Sequence, residues 1–321
     1  MVQPEIQEII EPIHPNILTD ELTRDKFVRK TNYGNNEIYI ITHQNSPNVM
    51  KEIGRLRELS FRLAGGGTGK SMDIDDFDVD ENPYSQLIVW EPNEKEIIGG
   101  YRFFNCNNLK VEDKNSIKLA TAELFNFSDT FINEYLKYSI ELGRSFVRPE
   151  YQARNAGRKA VFALDNLWDG LGALTIDNPS IKYYIGKITM YLQFDPIARD
   201  MILHFFSIYF KDNEKLIYAK EELGFTTDKG ILDSTFCGND YDKDYRLLSK
   251  IVRERNESIP PLFNSYMNLS PTMKVFGTAT NHHFGGVEET GIMITINDIY
   301  QSKKHRHLST YHPVKKVNPN G

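Results

Sequence analysis

Length, composition and charge narrow the class of protein that this chain can be. The 321 residues, 40% of them hydrophobic, suffice for one large domain or two of ordinary size. The formal net charge of −6 gives no overall sign of nucleic-acid binding. The two cysteines, Cys106 and Cys237, form neither a disulfide framework nor a CxxC metal motif, which fits a reducing compartment.

The sequence contains no recognisable targeting or membrane segment. The N-terminal stretch MVQPEIQEIIEPIHPN is acidic and lacks an apolar core, so we expect no signal peptide. No run approaches the roughly 18 apolar residues of a membrane span. We therefore expect a cytoplasmic protein, and a peripheral contact with the inner face of the membrane stays open.

Two elements are predicted at the start of the chain. Residues 1–46 are expected to form an N-terminal arm, irregular at first because prolines interrupt it. A helix is predicted over residues 47–63, since apolar residues recur there at helical spacing. The apolar positions are Val49, Ile53, Leu56, Leu59 and Leu63.

The next segment, AGGGTGKS at residues 64–71, is close to a nucleotide-binding P-loop but fails that motif on three counts. Ala64 occupies the first glycine position, a helix rather than a strand precedes the glycines, and an acidic segment follows them. That segment, MDIDDFDVDEN, holds six carboxylates and no cation, so it would repel a phosphate. We expect a mobile loop that binds no nucleotide.

Later elements follow from the same periodicity and turn signals. In chain order we predict a hairpin over residues 85–106, a helix around 116–137, a strand at 138–147, a helix at 157–174, a strand at 183–192, helices at 195–210 and 241–256, and a strand at 291–298. Asp195 as N-cap and Pro196 at the first position mark the start of the helix at 195–210. The basic tail from Lys303 is expected to be frayed.

The start of the helix near Gly157 is a candidate anion site. A helix N-terminus offers unpaired backbone N–H groups and a positive dipole end. Arg154, Arg158 and Lys159 surround it, and glycine permits close backbone approach. The pattern suits a pyrophosphate or a phosphopantetheine phosphate. Ordinary solvated charges at a helix end explain it equally well.

The strand before that helix contains Glu141-Leu142-Gly143-Arg144. In a regular strand, Glu141 and Arg144 would point to opposite faces, whereas a bulge at Gly143 would change that. A carboxylate there can take a proton from an amine, and an arginine can bind a carboxylate. A structural ion pair is the alternative interpretation.

Taken in order, these motifs resemble those of the GNAT-like N-acyltransferases that make ornithine lipids and glycine lipids, a family often labelled hemolysin-like. More distantly they resemble the acyl-homoserine lactone synthases. The resemblance covers residues 47–300, and PPLFNSYMNL near its end is similar to the ornithine-lipid branch. It is carried by Asp73, Asp75, Phe77 and Asp78 in the acidic segment, Arg102 on the hairpin, Glu141 and Arg144 on the strand, and Phe61 with either Arg57 or Arg62 on the first helix. The phosphate loop departs from the family pattern because Lys159 occupies the last small-residue position.

The resemblance implies an α/β GNAT fold, with a mixed central sheet flanked by helices. The implied core is residues 47–250, and residues 251–321 would be an extension that packs on it and ends in the frayed tail. In this fold the strands at 138–147 and 183–192 splay apart to admit the pantetheine arm of a thioester. Backbone N–H groups in the gap would then stabilise the tetrahedral oxyanion.

The implied activity is N-acyl transfer in aminolipid synthesis. A (3-hydroxy)acyl chain would move from an acyl carrier protein or CoA thioester to the α-amine of glycine or ornithine. Glu141 would be the base, while Asp75 and Asp78 would order Arg102 and Arg144 or hold the acceptor's ammonium. The thioester phosphates would bind Arg154, Gly157, Arg158 and Lys159. The thioester is a co-substrate, and neither a metal nor a permanently bound cofactor is expected.

The expected partners are an acyl carrier protein and an amino-acid acceptor, with no nucleic acid. The acidic carrier protein would bind a basic patch formed by Arg148, Arg154, Arg158 and Lys159. Two alternatives stay open: a synthase of acyl-homoserine lactone signals, and a protein that binds acyl thioesters without turnover.

Two residue groups are ambiguous in the sequence. The aromatic group would line an acyl tunnel or form ordinary core, and the histidines are expected at the surface. These are Phe205, Phe206, Tyr209 and Phe210 in the first group, and His282, His283, His305 and His307 in the second.

Overall fold

The computed structural model describes residues 6–111, 117–152 and 157–313, with the backbone alone for 157–161. The chain divides into two compact units and passes between them more than once. The first unit comprises Met1–Phe104, Leu142–Ile181 and Gln301–Gly321, and the second comprises Asn105–Glu141 and Lys182–Tyr300.

Helices and strands alternate along much of the described chain. The helices are α1 (Pro15–Glu21), α2 (Pro47–Leu63), α3 (Asp76–Val79), α4 (Gly157–Asp177), α5 (Pro196–Tyr209), α6 (Lys229–Thr235), α7 (Tyr241–Glu254), α8 (Pro261–Met267) and α9 (Gln301–His307). The strands are β1 (Phe27–Lys30), β2 (Glu37–Ile41), β3 (Ser85–Glu91), β4 (Glu96–Asn105), β5 (Phe125–Phe127), β6 (Ser139–Val147), β7 (Tyr183–Met190), β8 (Ile217–Ala219), β9 (Lys274–Asn281) and β10 (Val287–Thr295). None of the described helices is long and apolar enough to cross a lipid bilayer.

The first unit contains a largely antiparallel sheet in the order β1-β2-β3-β4, with the second part of β6 next to β4. The predicted hairpin is confirmed, and Lys95 closes its turn with a φ of +55°. Beyond the end of β6, the N–H of Arg148 donates to the carbonyl of Ile98 at 2.8 Å. β3 is buried almost throughout, as expected for a strand covered on both faces.

Helix α2 forms where the apolar periodicity predicts it. Pro47 occupies its first turn, where the missing N–H costs nothing, and Val49, Ile53 and Leu56 are buried. Leu59 is half-buried, and Leu63 is exposed where the helix ends. All residues from 52 to 58 are buried, the charged ones included, and Arg57 and Glu58 bind the segment that follows the helix.

The glycine-rich loop is anchored, whereas we expected it to be mobile. The buried carboxylate of Glu58 accepts the backbone N–H groups of Thr68 and Gly69, both at 2.9 Å, and the Thr68 hydroxyl at 2.8 Å. Arg62 donates to the same carboxylate and to the carbonyl of Lys70. The loop does hold an anion on its N–H groups, but the anion is a carboxylate of the protein itself.

The second unit contains an antiparallel sheet in the order β7-β10-β9, with the first part of β6 next to β7. The N–H of Lys182 donates to the carbonyl of Tyr138 at 2.8 Å. β6 passes out of this unit between Glu141 and Leu142. The splaying of strand 138–147 from strand 183–192 stays a prediction.

The helices of the second unit begin as their sequences indicate. Asp195 caps α5 by accepting the N–H groups of Ile197 and Ala198, as predicted. The aromatic residues of α5 form packed core: Phe205 and Phe206 are buried, and Phe206 stacks on Phe263 with ring centroids 5.7 Å apart. The helix predicted at 241–256 is confirmed as α7.

The helix predicted around 116–137 is wrong for the described part of that segment, residues 117–137. The segment consists of short turns around the strand β5, in which Phe125 pairs with Ala219 and Phe127 with Ile217 of β8. Phenylalanine and asparagine have modest helix propensity, and pairing with a distant strand outweighs the local preference.

The ends of the chain also differ from expectation. The arm predicted for residues 1–46 supplies α1, β1 and β2, and both strands pair in the first unit's sheet. The segment 251–321 supplies β9 and β10 to the second unit and α9 to the first, rather than forming one extension. His307, expected at the surface, is buried with Nδ1 2.8 Å from Oδ1 of Asp169, so the described start of the basic tail is ordered by packing.

Candidate active site

Six charged residues of the first unit form one ion-pair network, which we call the aspartate–arginine cluster. The acidic segment after the glycine-rich loop supplies the aspartates, and α2, β4 and β6 each supply one arginine. Its members are Asp73, Asp75, Asp78, Arg57, Arg102 and Arg144. Positive and negative charges are equal in number, so the network is neutral as a whole.

Arg57 lies at the buried centre of the cluster. Its Nε donates to Oδ2 of Asp73 at 2.9 Å, and its two terminal nitrogens donate to the two oxygens of Asp78 at 3.2 and 3.1 Å. The sequence left open whether Arg57 or Arg62 occupies this position. The structure assigns it to Arg57, since Arg62 instead binds Glu58 and the glycine-rich loop.

Arg102 is held by both charges and aromatic rings. Its Nη1 lies 2.7 Å from each oxygen of Asp75 and 3.4 Å from Oδ1 of Asp78. The guanidinium also lies over the rings of Phe77 and Tyr84, 5.5 and 5.2 Å from their centroids. These contacts fix the orientation of Arg102 and of the acidic segment against the hairpin.

Arg144 enters the cluster from a position in β6 where the backbone is left-handed. We expected the bulge at Gly143, but the left-handed conformation occurs one position later, at Arg144 with a φ of +47°. Its Nε lies 3.0 Å from Oδ2 of Asp73 and its Nη2 lies 3.5 Å from Oδ2 of Asp75. A non-glycine residue in this conformation stores strain that surrounding contacts must offset, and such residues concentrate at functional sites.

Opposite charges decide the ionisation of this cluster against the cost of burial. Burial by itself would raise the pKa of Asp73, but Arg144 and Arg57 hold that pKa below its ordinary value. Likewise, burial would raise the pKa of Asp78, and Arg57 and Arg102 lower it. Burial would lower the pKa of Arg57, and Asp73 and Asp78 raise it instead. The buried groups Arg57, Asp73 and Asp78 are therefore charged at neutral pH.

Only one edge of the cluster is accessible. The side chain of Asp75 is 29% exposed and that of Arg144 is 15% exposed, whereas Arg102 is 2% exposed. Arg57, Asp73 and Asp78 are completely buried. A ligand of the first unit can thus touch one carboxylate and one guanidinium, and the buried residues hold those two in place.

Glu141 belongs to the second unit and has different partners. It is 1% exposed, and its Oε1 accepts the N–H of Thr121 at 2.6 Å while its Oε2 accepts that of Ala120 at 3.2 Å. The predicted base is therefore oriented by the backbone of the 120–121 turn.

The thiol of Cys106 is shielded by burial and influenced by the charge of Glu141. Cys106 is buried, and burial together with the charge of Glu141 raises the pKa of its thiol well above the ordinary value. The reactive form of cysteine is the thiolate, so acyl transfer through Cys106 is disfavoured.

Sequence reasoning missed two charged residues of the second unit that are connected to Glu141 through Ala120. The ammonium of Lys187 on β7 lies 2.9 Å from Oε2 of Glu289 on β10 and donates to the carbonyl of Ala120 at 2.9 Å. Neither residue belongs to a motif, and their positions in the sequence are far apart. The available signal was weak: Lys187 is the one charged residue of β7, and Glu289 is one of two adjacent glutamates in β10.

The predicted phosphate site is only partly described. Arg154 and the side chains of Arg158 and Lys159 lie outside the described residues. The backbone shows that α4 begins at Gly157, as the sequence indicated. Arg148, expected in the basic patch that binds a carrier protein, forms ion pairs with Glu96 at 2.5 Å and with Glu150 at 3.0 Å.

Comparison with known proteins shows which other proteins this chain is similar to. A family model described as an acetyltransferase (GNAT) domain matches residues 56–160. The glycine N(alpha)-acyltransferase of Phocaeicola vulgatus is 54% identical over 306 residues, which cover 95% of this chain and 94% of that protein. The enzyme of the same name from Bacteroides thetaiotaomicron is 53% identical, over 95% of this chain and 91% of its own length. Among solved structures, the AHL synthase LasI matches 47% of this chain and 71% of its own, with 12% identity and a TM-score of 0.31.

Proposed function

Because the chain belongs to the glycine N(alpha)-acyltransferase family, we propose that this acyltransferase moves an acyl group from a thioester to the α-amine of glycine. The observation that carries the proposal is that two relatives of that name are 54% and 53% identical to this chain over 95% of its length. The ordered carboxylates and arginines supply the two requirements of such a reaction, a proton acceptor and a recognition group for the amino acid.

The reaction needs the acceptor amine to be neutral. The amine nitrogen attacks the thioester carbonyl carbon, a C–N bond forms, and the tetrahedral intermediate collapses with cleavage of the C–S bond. One amine proton leaves to a base, and the thiol departs as a good leaving group. No covalent enzyme intermediate is required, which agrees with the buried and protonated thiol of Cys106.

We assign the base to Glu141. Its carboxylate is held by two backbone N–H groups, so its direction is fixed before the substrate binds. As the base, Glu141 takes a proton of the amine directly or through one water molecule. Burial excludes bulk water, which protects the thioester from hydrolysis.

We assign recognition of the acceptor to the accessible edge of the aspartate–arginine cluster. Arg144 offers its guanidinium to the α-carboxylate of glycine, and Asp75 holds the ammonium before it is deprotonated. Asp78 and Arg102, both buried, keep this pair in position. The strained backbone of Arg144 fits a residue placed for binding rather than for sheet pairing.

The donor is proposed to be a 3-hydroxyacyl chain on an acyl carrier protein, with the CoA thioester as the other candidate. The positive dipole end of α4 at Gly157 supports phosphate binding there, together with Arg154, Arg158 and Lys159. The product would be an amphipathic aminolipid precursor, which favours a cytoplasmic enzyme with peripheral membrane contact.

The test is an assay of the purified protein with the two donors and glycine. We expect N-acylglycine by mass spectrometry, with ornithine a poor competitor. Absence of any acylated amino acid with both donors would refute the proposed function. Addition of S-adenosylmethionine to the same assay tests for a lactone product, which would identify a signal synthase instead.

Replacing Arg144 by Ala is expected to raise the KM for glycine by about 10- to 100-fold, because a charge-assisted pair with the carboxylate is lost. Glycinamide lacks that carboxylate, so it separates recognition from chemistry. The wild type should prefer glycine strongly, and the variant should treat the two acceptors alike. An unchanged preference in the variant would place the carboxylate site elsewhere.

A further inference from the structure

A chain of buried polar contacts in the second unit begins at Glu141 and ends at Asn281. Oε2 of Glu141 accepts the N–H of Ala120 at 3.2 Å, and the carbonyl of Ala120 accepts from Nζ of Lys187 at 2.9 Å. The same ammonium lies 2.9 Å from Oε2 of Glu289, which also accepts from Nδ2 of Asn281 at 3.1 Å. The Ala120 carbonyl shares its peptide unit with the N–H of Thr121, which donates to Oε1 of Glu141 at 2.6 Å. This peptide unit thus connects the carboxylate of Glu141 to strands β7, β9 and β10.

The burial of these groups makes their contacts specific. The side chains of Lys187 and Glu289 are 10% and 5% exposed, so solvent does little to replace a lost partner. An ammonium has three donors, and Glu289 and the carbonyl of Ala120 occupy two of them. The charge of Glu289 also acts on Tyr191, because burial and this carboxylate raise the pKa of Tyr191 to about 12.

The segment that Lys187 holds has little order of its own. Ala120–Glu123 is a single 3₁₀ turn, and such turns are intrinsically weak. The N–H groups of Ala120 and Thr121 donate the hydrogen bonds that orient the carboxylate of Glu141. The position of these N–H groups therefore depends on the contacts that hold the turn against the sheet. The hydrogen bond from Lys187 to the carbonyl of Ala120 is one such contact.

We propose that Lys187 is a positioning residue for Glu141, acting through the peptide unit of Ala120. The ammonium fixes the Ala120 carbonyl, and this fixes the direction of the adjacent N–H groups that bind Glu141. Glu289 and Asn281 fix the ammonium in turn. This inference rests on the proposed function, in which Glu141 is the base. A small misplacement of a reacting group costs orders of magnitude in rate, so the contact matters for turnover.

The first test compares Lys187→Met with Lys182→Met, which removes the same charge from an exposed lysine just before β7. We expect Lys187→Met to lower kcat by about 10²-fold with little change in the KM for glycine. Lys187→Arg should restore much of the rate, since it can donate to both partners. Wild-type kcat in Lys187→Met would overturn the proposal. Lys187→Leu also removes both contacts and replaces the Met variant if that protein does not fold.

A double variant separates positioning from simple neutralisation of Glu289. If Lys187 served only to balance that buried carboxylate, Lys187→Met/Glu289→Gln would recover activity, and the proposal would fail. If Lys187 positions Ala120, the double variant stays as slow as the single one.

Amide hydrogen exchange gives a readout that does not need activity. In Lys187→Met we expect the amides of Ala120 and Thr121 to exchange about 10-fold faster, the effect of one lost hydrogen bond, while amides of α7 are unchanged. Unchanged exchange at these two amides would refute the positioning role even in an active enzyme. Conversely, a wild type that forms no N-acylglycine would refute the proposed function, and the exchange data would still decide the contact.

Discussion

Glu141→Gln is expected to lower kcat/KM for glycine by about 10²- to 10⁴-fold, the usual contribution of a general base. The amide cannot accept the proton of the attacking amine. It also places an NH₂ group against an N–H of the 120–121 turn, where the carboxylate accepts from Ala120 and Thr121. The measurement is steady-state kinetics with the thioester donor at saturation, over a range of pH.

The pH dependence separates loss of the base from disturbance of the structure. As pH approaches the pKa of the glycine amine, the acceptor loses its proton without help, so the deficit of the variant should shrink. Glu134→Gln removes the same charge from an exposed position nearby and should behave as wild type. A deficit that is constant with pH, or full activity in Glu141→Gln, would remove Glu141 from the role of base.

Arg57→Met is expected to destabilise the protein by about 3–5 kcal/mol, the usual cost of removing one partner from a buried ion pair. Arg57 is completely buried and binds both Asp73 and Asp78, so its loss leaves two buried carboxylates short of charge. Urea unfolding at neutral pH measures the effect. Lys51→Met, an exposed change on the same helix, should stay within about 0.5 kcal/mol of the wild type.

The sign of the pH dependence follows from the two carboxylates. The pKa values of Asp73 and Asp78 lie below their ordinary value in the folded protein, so their stabilisation is fully present above about pH 4 and is lost as pH falls further. In Arg57→Met, burial favours the protonated carboxyl groups, so the difference from wild type should be largest at neutral pH and shrink toward pH 4. A difference that grows on acidification would contradict this account of the cluster.

Much of the fold follows from local sequence patterns. The periodicity of α2, the N-cap and proline of α5, and the alternation and turn of the β3–β4 hairpin each act within a few residues. Burial of an apolar face rewards the same pattern that local propensity favours, so these predictions were right. In the segment 117–137, pairing of β5 with β8 overrides the local preference, and the prediction was wrong.

The candidate site divides in the same way. The motif order indicated Asp75, Asp78, Arg102, Glu141 and Arg144 as the charged set, and side-chain chemistry indicated what carboxylates and guanidiniums can do there. Whether Arg57 or Arg62 joins them depended on which face of α2 meets Asp73, 16 positions further along the chain. The left-handed backbone of Arg144 likewise was not evident from the strand's own sequence, and in the structure its side chain contacts Asp73 in the acidic segment.

The sequence by itself determined the main helices and strands, the family resemblance and the residue types available for proton transfer and carboxylate binding. The helices and strands depend on neighbours a few positions apart, and the resemblance depends on the order of motifs along the chain. Only the tertiary structure decided that Glu58 fills the glycine-rich loop, that two N–H groups direct Glu141, and that Lys187 and Glu289 lie behind them. The reason is physical: a buried charge takes its partner from whichever segment the fold brings within about 3 Å, and distance along the chain does not limit that choice.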